Sequence, residues 1–273
     1  SIFSLENLMF TPELIKQEWN CISLDINDIE GIRYFKRLRT WTCSNNLLTT
    51  LPTLPDTLTT LACNLNQLTD LTVIPPSLTS LTCNSNKLSK LPALLPAALI
   101  TLTCSSNLLD SLPQLPAGLK NLSCQSNRLT VLPSLPTTIT SLNCNSNLLI
   151  GLPSLPSLLT TFDCNNNQIT SLPILPASLT TLSCYKNQIT SLPALPTSLT
   201  ILNCYNNKIT SLPVLPPSLN WLNCDNNLLT ALPALPATLT LLKCYNNQIT
   251  SLPTLPNSIT DLICYNNLLS VLP

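Results

Sequence analysis

Cysteine is the residue with the greatest chemical reach in this chain, and its spacing is regular. Of the thirteen cysteines, twelve fall at Cys43, Cys63, Cys83, Cys104, Cys124, Cys144, Cys164, Cys184, Cys204, Cys224, Cys244 and Cys264. The step is 20 residues throughout, except for one of 21 where "LPALLP" carries an extra leucine. Three chemistries could use such a row. A zinc site needs four ligands converging on one tetrahedron, usually as closely spaced cysteine pairs. Equally spaced thiols do not converge, and the chain has no histidine. A disulfide framework staples distant segments, and parallel side chains in one rotamer do not supply the ~90° dihedral of a disulfide. A nucleophilic thiol needs an activating base, and no histidine is present to serve. The remaining reading is structural: cysteine as a small apolar residue filling a tight inward slot.

Other residue types narrow the function further. Charged residues make up 9% of the chain and balance at zero net charge, with 12 basic and 12 acidic side chains. That balance gives no global attraction to nucleic acid or acidic lipid. Sparse carboxylates, 3 glycines and no glycine-rich phosphate loop argue against intrinsic catalysis. Neither a cofactor nor a small-molecule substrate is expected. No apolar run approaches the roughly 18 residues of a membrane span, so a membrane partner is not expected either. At 44% hydrophobic residues over 273, with leucine and isoleucine regularly placed, the chain has ample material for a core.

The period defines the elements that must hold these cysteines. A fixed repeat of this length is the signature of a solenoid. Aligned on cysteine, the unit reads L-x-x-L-x-C-x-x-N-x-L/I-x-x-L-P-x-L-P-x-x, a leucine-rich-repeat pattern with cysteine in a usually aliphatic slot. Residues around each cysteine alternate as a short strand requires. In "LTTLSCYKNQITSLPALPTS", Leu182 and Cys184 point inward, while Thr181, Ser183 and Tyr185 face out. Stacked units pair these strands into a parallel sheet on the concave face. Asparagine recurs three residues after each of the twelve regularly spaced cysteines, where a buried amide satisfies backbone groups of the turning chain. The "LPALP" half, rich in the chain's 25 prolines, cannot be helix interior. It suits an extended, polyproline-like return on the convex side. An earlier, divergent unit is read with Trp19, Ile22, Leu24, Asn27 and Ile29 in the same slots. The expected organisation is a helical cap over 1–18 and a solenoid over 19–273, about thirteen units with the last incomplete.

The cap is read from "TPELIKQEW", with Thr11 as N-cap, Pro12 at the first helical position and Glu13 at the positive end of the helix. A run that starts without methionine and stops inside a repeat is expected to be a piece of a longer protein. The basic stretch "RYFKRLR" (Arg33, Lys36, Arg37, Arg39) could contact phosphate. Residues 1–42 carry six acidic and five basic side chains, so it reads as a solvated edge. "NLS" at Asn121 matches a glycosylation sequon, but both polar residues fall on a strand.

The run "LPALPTSLTILNCYNNKITSLPVLPPSLNWLNCDNN" resembles the short, proline-rich leucine-rich repeats of bacterial type III secretion effectors, the YopM and IpaH type. The resemblance covers about residues 38–273. It implies a protein that a bacterium secretes into the host cell cytoplasm, where it grips a host protein. In IpaH-like members a ubiquitin ligase domain follows the repeats, so this chain could be the recognition half of such a ligase. Cysteine at this slot is similar to other bacterial repeat proteins, some of them surface-exposed, which adds a surface adhesin as a third reading. Thirteen unpaired thiols suit a reducing compartment such as the host cytosol.

Scaffold slots are fixed, so recognition must lie in the variable outward positions. In the first half these are small and polar: Thr40, Thr42, Thr60, Ala62, Ser80, Thr82. In the second half they become Tyr185, Ile201, Tyr205, Trp221, Leu241, Tyr245 and Tyr265, with scattered charge at Asp225 and Lys243. Large aromatic residues on a concave surface suit a protein interface. Side chains stacked for ladder stability would give the same pattern. The candidate protein-binding set is therefore Tyr185, Ile201, Tyr205, Trp221, Asp225, Leu241, Lys243, Tyr245 and Tyr265, read as a diagonal of large side chains.

Overall fold

The computed structural model describes residues 17–29, 31–71 and 74–271. The chain divides into two compact units, with the boundary between Leu129 and Thr130. The first unit carries β1 (Glu18–Asn20), β2 (Thr40–Thr42), β3 (Thr60–Ala62), β4 (Ser80–Thr82), β5 (Thr101–Thr103) and β6 (Asn121–Ser123). The second carries β7 (Ser141–Asn143), β8 (Thr161–Asp163), β9 (Thr181–Ser183), β10 (Ile201–Asn203), β11 (Trp221–Asn223), β12 (Leu241–Lys243) and β13 (Asp261–Ile263). Within each unit, strands pair in parallel with their neighbours in sequence, one strand per repeat. Each unit is thus a leucine-rich-repeat solenoid. No helix among the described residues is long and apolar enough to cross a membrane.

One repeat shows how the sequence builds the turn. In β9 the central Leu182 is fully buried, and Thr181 and Ser183 are half-buried on the open face. Cys184 follows, also fully buried, and its N–H donates to the Asn203 carbonyl on the next strand at 2.8 Å. The chain then turns through Lys186, whose φ is 51°. The same position is left-handed in the other repeats, at Asn45, Leu65, Ser85 and onward to Asn266. Asn187 closes the turn. Its Nδ2 donates to the carbonyls of Cys164 and Cys184, both at 3.1 Å, and its Oδ1 accepts from the Ile169 N–H at 3.0 Å. Each amide therefore ties its own repeat to the preceding one and gives partners to backbone groups of the turn. The ladder recurs at Asn46, Asn66, Asn86 and Asn107 in the first unit and through Asn267 in the second.

The proline-rich return is extended, as its composition predicts, and ends in a turn. The carbonyl of Pro196 accepts from the Leu199 N–H at 3.1 Å, and Pro55, Pro116 and Pro236 do the same for Leu58, Leu119 and Leu239. A second ladder runs along this side. Ser198 Oγ donates to the carbonyls of Ala177 and Leu179 in the preceding repeat, both at 2.7 Å. Ser178, Ser218 and Thr238 make the equivalent pairs.

The start of the chain differs from expectation in two ways. Most of the expected cap helix lies outside the described residues. Its last part does not form: Glu18 and Trp19 belong to β1, where Trp19 pairs with Trp41 of β2. Trp19 stacks on Phe35 (5.4 Å, 7°) and on Trp41 (6.2 Å, 16°), so strand pairing and ring stacking together outweigh a helical end. The first repeat is also out of the expected register. Cys21, not Leu24, occupies the cysteine slot, buried and donating its N–H to the Thr42 carbonyl. Leu24 then stands where later repeats have asparagine. Ile22, Leu24 and Asn27 are exposed, and Asn27 takes no place in the ladder.

A candidate protein-binding face on the second unit

The outward residues of β9–β13 form parallel rows, not the expected diagonal. The first row runs Thr181, Ile201, Trp221, Leu241, Asp261, each in register with the next. Ile201 and Leu241 are half-buried, and Trp221 is 39% exposed. The middle row is Ser183, Asn203, Asn223, Lys243, Ile263. The third lies just past each cysteine and reads Tyr185, Tyr205, Asp225, Tyr245, Tyr265.

This third row is a column of rings with one gap. Tyr185 and Tyr205 stack at 4.3 Å with planes 9° apart, and Tyr245 and Tyr265 at 4.7 Å and 14°. Those distances match the inter-strand spacing of about 4.8 Å, so the rings face along the column. Stacking of neighbours is therefore part of what holds them, as the alternative reading of the sequence anticipates. Tyr265 nevertheless remains 58% exposed.

Asp225 departs from expectation. Read as surface charge, it is 1% exposed, because a short side chain between two tall rings is covered by them. Its Oδ2 accepts from Asn226 Nδ2, and Tyr245 is its second side-chain hydrogen-bond partner. Asn203 Oδ1, on the adjacent strand, is buried and unpartnered. The carboxylate acts on its neighbours. Tyr245 is raised above the ordinary phenol range chiefly by its hydrogen bond with Asp225. Tyr205 is pushed up to about 12, first by burial and then by Tyr185 and the Asp225 charge.

The thiols lie on the inner side. All thirteen are free, twelve buried and Cys264 half-buried. Burial pushes Cys63, Cys104 and Cys184 up to about 12, so they stay neutral and unreactive at ordinary pH. Among the described residues, no group of three or more His, Cys, Asp or Glu side chains could hold a metal ion. The basic stretch stays at the edge of the first unit, with Arg33 over the Tyr34 ring at 5.0 Å.

Comparison with known proteins supports this architecture. A profile of leucine-rich repeats (two copies) matches residues 157–197 and 177–217. A search among curated proteins finds no match. Among solved structures, YopM from Yersinia enterocolitica is 35% identical with a TM-score of 0.76, over 91% of this chain and 64% of that one. The chain thus spans less than two thirds of that protein. YopM from Yersinia pestis is 32% identical with a TM-score of 0.72, over 94% of this chain and 85% of that one. The functional domain of InlJ from Listeria monocytogenes, described as including a cysteine ladder, is 26% identical with a TM-score of 0.72, over 94% of this chain and 64% of that one. With its repeat pattern, its thiol and asparagine ladders and these likenesses taken together, the chain belongs to the leucine-rich-repeat proteins of bacteria.

Proposed function

We propose that this chain is an effector scaffold of the YopM and IpaH type, secreted by a bacterium into the host cell, which binds a host protein through the open face of β9–β13. One observation carries the reading. Outward positions on β2–β5 are threonine, serine and one alanine, whereas β10–β12 present Ile201, Trp221 and Leu241, and Tyr185, Tyr205, Tyr245 and Tyr265 stand just past the cysteines of the second unit, with no core to fill. Binding is the whole activity, and the partner is occupied, not transformed. The shared cysteine ladder favours a second reading, the same scaffold displayed on a bacterial surface as in internalins. A ubiquitin ligase would use this face to choose its substrate, with catalysis elsewhere.

The test is a partner recovered with the wild-type chain and measured again with Tyr205→Ala and Trp221→Ala combined. Loss of an aromatic anchor costs about 2 kcal/mol, or roughly thirtyfold in affinity, so the double change should weaken binding by at least that much. Thr60→Ala should change it little. Undiminished affinity in the double variant would place the site elsewhere.

A further inference from the structure

The chain has five tyrosines, Tyr34, Tyr185, Tyr205, Tyr245 and Tyr265, and the fold sorts them by what each ring can meet. Tyr245 and Tyr265 belong to successive repeats, with ring centroids 4.7 Å apart and planes within 14° of parallel. Two phenols held face to face have a reaction open to them that a lone phenol lacks. Loss of one electron and one proton from each leaves unpaired density on the ring carbons beside the oxygen. Those half-filled orbitals stand perpendicular to the ring planes, so stacked faces point them at each other. Two further features favour this pair. The Tyr245 hydroxyl donates a hydrogen bond to Asp225, whose carboxylate can accept the proton that must leave. Tyr265 is 58% exposed, within reach of an oxidant and with room to move onto its neighbour. Thiols are the usual competitors for a one-electron oxidant, and twelve of the thirteen here are buried.

We propose that Tyr245 and Tyr265 form an oxidative cross-linking site, which couples to dityrosine under a one-electron oxidant such as a haem peroxidase fed with hydrogen peroxide. The oxidant takes one electron from each ring, while the Tyr245 proton passes to Asp225 and the Tyr265 proton to water. The two radicals join through one Cε–Cε bond. Each joined carbon then sheds its hydrogen as a proton and each ring oxygen takes one up, which restores both phenols. In all, two hydrogen atoms leave the protein and one hydrogen peroxide becomes two waters. The new bond ties the repeat of β12 to that of β13 and closes the chain over that interval, a constraint on the unfolded ensemble. Tyr185 and Tyr205 also stack, at 4.3 Å. There Tyr205 hydrogen-bonds to Tyr185 and not to a carboxylate, so that pair should couple more slowly. The cross-link forms whatever the open face binds.

The experiment treats the 273-residue chain, dilute and free of added thiol, with a haem peroxidase and limiting hydrogen peroxide. Dityrosine is followed by its fluorescence and located by mass spectrometry after cleavage before Asp261, which separates Tyr245 from Tyr265. The product should join the peptides on the two sides of that cut within one chain, lighter than their sum by two hydrogen atoms. Tyr265→Phe keeps the ring, loses only the hydroxyl of an exposed residue, and should abolish that product. Asp225→Asn should slow its formation roughly tenfold or more, because the proton acceptor is gone. Circular dichroism checks that both variants are folded. A folded chain that joined Tyr245 to Tyr265 no faster than the same chain unfolded in urea would overturn the proposal. So would a rate indifferent to Asp225→Asn, or dityrosine found only between chains through the exposed Tyr34.

Discussion

At φ 52°, Leu65 holds a backbone conformation that L-residues adopt only at a cost of roughly 1–2 kcal/mol. Asparagine pays less for it, and asparagine is what stands at the same position in Asn45, Asn166, Asn206 and Asn226. Leu65 is also more than half exposed, so its side chain returns little by burial. Leu65→Asn should therefore stabilise the protein by about 1 kcal/mol, read as a higher urea midpoint; a lower one would mean that Leu65 packs in a way its exposure conceals. The opposite outcome is expected one position on. Asn187→Leu removes the donor to two buried carbonyls and the acceptor of one buried N–H. At about 1–3 kcal/mol for each group left without a partner, the loss should reach about 3 kcal/mol. A cost below about 1 kcal/mol would show that water replaces the amide.

At the scale of the element, the repeat tolerates an insertion where its backbone makes no ladder. The 21-residue interval places its extra residue in the return segment, and Leu94 there is 89% exposed. β4 and β5 nonetheless pair in the usual register, Leu81 opposite Leu102. Deleting Leu94 should leave the melting temperature unchanged or raised; a marked drop would show that the bulge supports its neighbours. Much of this unit is legible in sequence because each slot has one physical demand. Period 2 around cysteine predicts the strand, proline predicts an extended return, and an asparagine at a turn predicts a buried amide. The rest turns on neighbours. Cys21 precedes Cys43 by 22 residues instead of 20, so Ile22, Leu24 and Asn27 offer a false register that only pairing of Trp19 with Trp41 resolves. Ser198 looks like any polar loop residue until the preceding repeat's carbonyls are placed beside it. Alternation says that Asp225 faces outward, but not that taller rings on both sides bury it.

Across the whole molecule the thiols act in sum, through their shared resistance to ionisation. Burial raises Cys21, Cys43, Cys63, Cys83 and Cys104 in the first unit. It does the same for Cys144, Cys164, Cys184, Cys204, Cys224 and Cys244 in the second. The folded chain keeps these protons, whereas an unfolded chain releases them above the ordinary thiol value of about 9. A group raised in the folded state contributes its full stability below the unfolded pKa and loses it as pH climbs toward the folded one. The window here opens near pH 9 and runs to about 12, where Cys63, Cys104, Cys184 and Cys244 would ionise in place. Each thiol then removes about 1.4 kcal/mol of stability per pH unit, and several together make the loss steep. Circular dichroism in the presence of a reductant should show cooperative alkaline unfolding within that window. Tyrosines and lysines titrate there too, so the discriminating measurement is the slope of stability against pH in a variant carrying Cys164→Ala, Cys184→Ala and Cys204→Ala. It should be shallower by about 4 kcal/mol per pH unit, three thiols' worth, whatever the three cavities cost in absolute stability. An unchanged slope would mean that these thiols ionise within the folded protein and that the column is open to solvent.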